Sequence, residues 1–238
     1  MPVPLTVPHA AGMNKTEWPA TVEALMAAQH ELAAAGPEPW RPAAGPLVGG
    51  CFAAFPKGYA GPGAAGDPVW AGAAVYQRRR RVCHATTSDT AGSPYRPGLL
   101  ALRVGPVLDA VVRLLPRWPD VLLVDATGRD HPRRAGLAVQ LGAMLDLPTV
   151  GVTHRLLLAE GEWPRDERGA TSPVTLAGDV VAYWLRTRQG RRPVAVHAGW
   201  RTDPDVAVRV VSACAKHRTP TPLREARRLA RAARAGAL

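Results

Sequence analysis

The chain reads as a single α/β domain, on three observations. At 238 residues with 47% hydrophobic content, it is long enough to bury one sizeable core and needs no second compact unit. The run VLLVD at 121–125 is continuously apolar, rich in branched side chains and closed by a carboxylate. That is the pattern of a buried strand delivering an acid to the sheet edge where α/β sites form. Further strand-like runs are interleaved with stretches of helical spacing along most of the chain.

Taken in order, residues 1–17 read as a disordered N-terminal extension, with Met13 an alternative start, and residues 18–238 as the domain. Helical spacing over 17–35 closes at Gly36-Pro37, and a proline-rich connector fills 37–46. Strand signals at 47–55 and 69–87 flank the loop PKGYAGPGAAGDP, whose glycines suggest a mobile lip near the site. Helices are expected over 100–115 and 134–145, the second with a small-residue surface of Gly136, Ala138, Gly142 and Ala143 that permits close packing on a sheet. The run TVGVTH is a further strand. A less ordered insertion at 160–173 precedes a strand pair around 179–187 and 192–197. The chain ends in a basic amphipathic helix carrying Arg224, Arg227, Arg228, Arg231 and Arg234 three to four apart.

The formal charge of +11 and the pI near 10.7 attract phosphate polyanions and make any such binding salt-dependent. Arginine supplies most of it, in clusters such as Arg78 to Arg81 and Arg133-Arg134. A GC-rich genome also inflates Ala, Gly, Pro and Arg, so the charge supports a nucleic-acid partner without deciding it. No run reaches the roughly 18 to 20 apolar residues of a membrane span, and the N-terminus lacks the basic start and apolar core of a secretory signal. The 3 cysteines, Cys51, Cys83 and Cys214, imply no disulfide framework, show no paired CxxC spacing for zinc, and suit a reducing cytoplasm.

Asp125 is the first candidate for chemistry. Strand and turn alone leave two readings, a site carboxylate or a side chain capping its own turn. The segment that follows favours a site: His131-Pro132-Arg133-Arg134 offers two guanidinium forks and an imidazole just before a helix, a natural phosphate cradle. The alternative for that segment is a solvated basic turn.

Five segments together resemble the endonuclease V family: LVGGCFAAFPKG at 47–58, PYRPGLLALR at 94–103, DATGRDHPRRAGLAVQLGAMLDLPTVGV at 125–152, PVAVHAGWR at 193–201 and PTPLREARRLA at 220–230. The resemblance runs from about Trp18 to Ala230. It implies a ribonuclease H-like central mixed sheet flanked by helices, and cleavage of nucleic acid beside deaminated purines, chiefly hypoxanthine, with Mg²⁺ or Mn²⁺ held by carboxylates. It also implies that Tyr95, Arg96 and Pro97 form a wedge replacing the stacking of an extruded base. Gly98 and Leu100 would line the base pocket, and Gly128 would permit close backbone approach, although the glycine expected after the acid is Ala126.

Carried over position by position, the expected metal chemistry is depleted. The first-strand aspartate falls at Phe52, or at Cys51 with a one-residue slip; the glutamate closing the PYxPGLLAFRE segment is Val104; the lysine of GVAK is His154; and the histidine of SPGH is Trp200. Only Asp125 is unchanged. A Mg²⁺ site generally needs more than one carboxylate, and of Asp109, Asp120 and Asp130 only Asp130 is a local reserve. A relocated site is conceivable: Asp125, His154 and His197 each end a strand and would suit Zn²⁺ or Mn²⁺ if they converged. Otherwise the histidines are ordinary hydrogen-bonded residues.

The sequence therefore predicts a monomeric, cytoplasmic, endonuclease V-like protein that binds DNA or RNA containing inosine or distortions, with no membrane partner and with cleavage lost or strongly weakened. Asp125, His131 and His154 are its remnant catalytic groups. Tyr95, Arg96, Pro97, Gly98, Leu100, Gly128, Arg133 and Arg134 are its nucleic-acid contacts. The competing readings are an active divergent metal-dependent endonuclease of the deoxyinosine 3′ type, in DNA repair or RNA processing, and a protein-interaction module.

Overall fold

The computed structural model describes residues 17–58 and 61–236, so residues 1–16 of the expected extension lie outside the described residues. Its centre is an eight-stranded mixed sheet in the order β3-β2-β1-β4-β5-β8-β7-β6. The strands are β1 (Leu47–Ala54), β2 (Pro68–Gln77), β3 (Arg80–Thr90), β4 (Val121–Val124), β5 (Thr149–Thr153), β6 (Thr171–Leu176), β7 (Asp179–Leu185) and β8 (Val194–Ala198). β1, β4 and β5 run parallel, and every other pairing is antiparallel.

Among the described residues there are five helices, α1 (Val22–Ala34), α2 (Leu100–Arg113), α3 (Leu137–Leu145), α4 (Pro204–Cys214) and α5 (Thr221–Arg234); α2 to α5 cover the sheet and α1 packs on α2 and α3. Side-chain alternation along β4 divides the core. Leu122 and Val124 pack with residues of α1, α2 and α3, whereas Val121 and Leu123 pack with residues of α4 and α5. Covered on both faces, β4 is apolar throughout, as the VLLV run requires. The arrangement is the mixed α/β sheet expected from the sequence.

Several boundaries shift for local reasons. α1 starts at Val22, beyond Pro19, because Thr21 caps it by accepting a hydrogen bond from the Ala24 amide at 3.2 Å. The run 69–87 divides into β2 and β3 at a tight turn where Arg78 takes a left-handed φ of 53°. α3 begins three residues later than the spacing suggests, since Arg134 also has positive φ and its amide closes a turn on the His131 carbonyl. The glycine-rich loop after β1 is tied down near its end: Asp67 accepts from the Ala64 amide at 2.6 Å, and Arg103 of α2 reaches both the Ala64 carbonyl and the Asp67 carboxylate.

The close approach of α5 to the sheet matters most for the site. A Cβ on Gly50 of β1 would lie 2.5 Å from the Pro222 carbonyl carbon, and one on Gly72 of β2 would lie 2.6 Å from the Ala226 carbonyl oxygen. With both positions lacking a side chain, the backbone of α5 rests directly on the strands. Gly72→Ala is expected to push the helix outward and destabilise the protein by roughly 1 to 3 kcal/mol, as overpacking does. A urea titration of the variant against the parent protein measures this.

Candidate active site

The parallel pairings end level with one another, although β1 runs on to Ala54 beside β2. Cys51 of β1 pairs with Val124 of β4, which pairs with Gly151 of β5. Phe52 and Asp125 follow at the carboxyl edge of the sheet, beside the segment carrying His154. Asp125 is met from α5 by Arg227, whose guanidinium nitrogen donates to the carboxylate at 3.2 Å. The same guanidinium lies 4.8 Å from the centroid of the Phe52 ring, a contact worth about 0.5 to 1 kcal/mol at a partly exposed position.

Among the described residues, two cavities adjoin Asp125. The smaller, about 110 Å³, is lined by Cys51, Phe52, Val104, Leu108 and Leu137 among others. The two positions where the resemblance expects carboxylates thus sit in one cavity with Asp125 and present a phenyl ring and an isopropyl group. A hard divalent ion needs several oxygens, so the donor set here does not fit Mg²⁺. Cys51 offers no thiolate in compensation, because burial first, and then the Asp125 charge, push its thiol far above its usual range.

The larger cavity, about 290 Å³, extends from Asp125 to Tyr95, Gly98, Leu100, Thr127, His131, Gln140 and Arg155. Tyr95 stands at its mouth with 47% of its surface exposed, and Arg96 and Pro97 are exposed beside it. Gly98 takes a φ of 78°, and its carbonyl accepts from Gln29, His131 and Arg133 at 3.0 Å each. Gly128 does not line the cavity. A Cβ there would lie 1.8 Å from the Ala198 carbonyl oxygen, so this glycine serves the packing of the β4–α3 segment against β8.

Several residues singled out in the sequence are committed elsewhere. Asp130 is fully buried, and its carboxylate accepts the amides of Leu157, Leu158 and Ala159 at 2.7 to 2.8 Å. It anchors the cavity wall and is not a spare metal ligand. The paired arginine fork is not formed, because the two guanidiniums diverge. Arg133 turns inward to Gln29 and the Gly98 carbonyl, whereas Arg134 reaches the β6–β7 hairpin at the Leu176 carbonyl and Asp179. The start of α3 is likewise satisfied internally: the Gly136 and Ala138 amides bond the carbonyls of Gly128 and Thr127.

Asp125, His154 and His197 do not converge. His197 alternates with Val194 and Val196, which pack toward α4, and therefore lies on the opposite face of β8. There its Nε2 pairs with the Thr153 hydroxyl at 2.8 Å. Among the described residues no group of three His, Cys, Asp or Glu is placed to hold an ion. His154 does share the edge with Asp125. Burial, and then Arg218, depress its pKa, while Asp125 opposes them. Trp200 lies outside both cavities, buried against Ala135, Val139 and Ala143.

His131 is buried and lines the larger cavity, with Nε2 on the Gly98 carbonyl and Nδ1 accepting from the Arg133 amide at 3.2 Å. Burial above all lowers its pKa to about 4. A second basic region flanks the site, where Arg218 bonds the carbonyls of Arg192 and Pro193. Nearby, burial and then Arg224, Arg188 and Lys216 depress His217. Sequence reading missed Arg227 as a site residue, since it was one arginine in a periodic basic stripe. It also missed Gln29 and Gln140, uncharged residues with no motif around them.

The endonuclease V family model matches residues 45–228. The chain belongs to the endonuclease V family. The enzyme of that name from Roseiflexus sp. is 45% identical over 139 residues, covering 58% of this chain and 62% of that protein. The Thermus thermophilus endonuclease V is 38% identical over 165 residues, 67% of this chain and 73% of the relative. In the first of these comparisons, therefore, the chain spans less than two thirds of the relative's length. The crystal structure of endonuclease V from Streptomyces avermitilis superposes with a TM-score of 0.82 at 36% identity, covering 92% of this chain and 96% of that one. The Ciona intestinalis endonuclease V, solved with a 24mer DNA containing an inosine followed by a ribo-adenosine, shares the fold at a TM-score of 0.73 and 22% identity, covering 88% of this chain and 95% of that one.

Two outcomes test these assignments. Asp130→Ala is expected to cost roughly 3 kcal/mol or more, because it orphans buried amides, and to speed hydrogen exchange at Leu157, Leu158 and Ala159. Acid titration should expose the buried histidines. His131 and His197 have folded pKa values of about 4 against an ordinary 6.5, so the unfolded chain binds more protons between these limits. Their contribution is complete above about pH 6.5 and is lost as pH falls toward about 4. Urea midpoints should fall across that window, and less steeply in His131→Gln.

Proposed function

We propose that this endonuclease V family member binds nucleic acid carrying a deaminated or distorted base and has lost, or strongly weakened, metal-dependent phosphodiester cleavage. One observation carries the reading: Phe52 and Val104 line a single cavity with Asp125, so only one carboxylate faces the place where the family's ion would bind. In this reading the family's ion would supply charge stabilisation and an activated water, and these residues are not the donors to hold it. The commitment of Asp130 to three amides removes the local substitute.

Binding rests on different features. The charge of +11 favours a polyanion. The cavity of about 290 Å³, with Tyr95 at its mouth and Gly98, Leu100 and His131 in its wall, suits an extruded base. The inosine-containing strand held by the Ciona protein supplies the ligand class to try first. His131, kept neutral with both ring nitrogens bonded to the Gly98 carbonyl and the Arg133 amide, frames that pocket and is not a general acid at neutral pH. Free Cys51, Cys83 and Cys214 suit a reducing cytoplasm, no helix among the described residues is long and apolar enough to cross a membrane, and the protein acts as a monomer.

Inosine-containing and plain oligonucleotides, DNA and RNA, titrated across salt with and without Mg²⁺ or Mn²⁺, test this function. Binding with little or no nicking is expected. Robust Mg²⁺-dependent nicking that disappears in Asp125→Ala overturns it in favour of an active nuclease. Tyr95→Ala should weaken binding by about 1 to 3 kcal/mol through lost stacking while leaving the salt dependence nearly unchanged. Absence of binding to every oligonucleotide would move the basic surface to a protein partner.

A further inference from the structure

We infer that the guanidinium of Arg227 takes the place of the divalent ion at Asp125 and receives a nucleic-acid phosphate there without metal. The inference rests on the binding function proposed above. It deepens that function by naming the cation and the group it holds.

The geometry is specific to one arginine. Arg227 projects from α5 to the carboxyl edge of β1 and β4, pairs with Asp125 at 3.2 Å and stacks over Phe52 at 4.8 Å. The ring therefore occupies the space of one expected carboxylate and also orients the cation that faces the other. A flat guanidinium held over an aromatic face and paired at one edge keeps further N–H groups for a second acceptor. Here the guanidinium is not used up: Asp125 takes one terminal nitrogen, Nε is buried without a hydrogen-bond partner and out of a strand's reach, and 26% of the side chain remains exposed to meet one. Asp125 is also part-exposed, at 29%, so a strand lying over the sheet edge can reach both.

Charge favours the same ligand. An unpaired carboxylate at the edge would repel phosphate, and in a metal-dependent site the ion overcomes that repulsion. Arg227 cancels the Asp125 charge locally, and the neighbouring guanidinium of Arg218 leaves the edge net positive. Phosphate binding then needs no ion, and no activated water is supplied along with it.

The experiment is a fluorescence-anisotropy titration of the full chain with an inosine-containing oligonucleotide in EDTA and, separately, in Mg²⁺. The expected affinities agree within about twofold. Arg227→Met, which keeps the stem and removes the charge, should weaken binding in EDTA about tenfold or more and lower the salt slope by about one unit. Arg227→Lys should recover part of the loss, and thermal unfolding of each variant registers any structural contribution. Asp125→Asn should bind as tightly as the parent protein or more tightly in EDTA, an outcome that stands even if Arg227→Met fails to fold. Three results overturn the inference: binding that requires a divalent ion, an Arg227→Met affinity and salt slope equal to the parent's, or binding abolished in Asp125→Asn. Failure of the parent protein to bind any oligonucleotide instead overturns the binding function itself.

Discussion

The contact between α5 and strands β1 and β2 decides what kind of site this protein has. Without Cβ atoms at Gly50 and Gly72, the helix backbone rests on the sheet. Arg227, on the second turn of that helix, is consequently delivered to the end of β4 and not to solvent. Asp125 would otherwise be a carboxylate beside a phenyl ring and an apolar cavity, with a desolvation cost and no counter-charge. The ion pair and the ring stacking resolve that conflict together. They belong to one arrangement, because a helix seated further from the sheet would break both.

The same economy governs the cavity wall. Three consecutive amides, of Leu157, Leu158 and Ala159, turn toward the interior in a segment with no regular structure, and each needs an acceptor. Asp130 supplies it for all three from the opposite loop. On the other side, the Gly98 carbonyl gathers donors from α1 and from the turn before α3. The pocket is thus framed by two acceptors, each used several times, while Tyr95, Thr127 and Arg155 line the space between them and the buried Gln140 donates to the Ala135 carbonyl. Residues that look chemical in sequence, Asp130, His131 and Arg133, build the frame.

Much of the architecture was legible from pattern. The apolar run ending in Asp125, the small-residue surface of α3 and the arginine-spaced terminal helix each report a local requirement, and local requirements are written along the chain. The apolar character of two positions beside Asp125 was legible too, because Phe52 and Val104 stand within recognisable segments and neither side chain can coordinate an ion. The partnerships were less visible. His197 appeared able to join Asp125 because both close strands, but β8 runs antiparallel to β5 and its alternation places that imidazole on the other face. Arg133 and Arg134 appeared to form one fork because they are adjacent; the left-handed turn at Arg134 sends them apart.

By itself the sequence determined the strand that presents Asp125, the apolar character of the positions around it, the family to which the chain belongs and the excess of positive charge. These follow from residue type and periodicity, which do not depend on distant contacts. Only the tertiary structure decided which cation meets Asp125, since 102 positions separate it from Arg227 and any of the arginines on α5 had the right chemistry. The choice was made by the depth and rotation at which α5 seats on its two glycines, a property of packing between elements that no local stretch of the chain encodes.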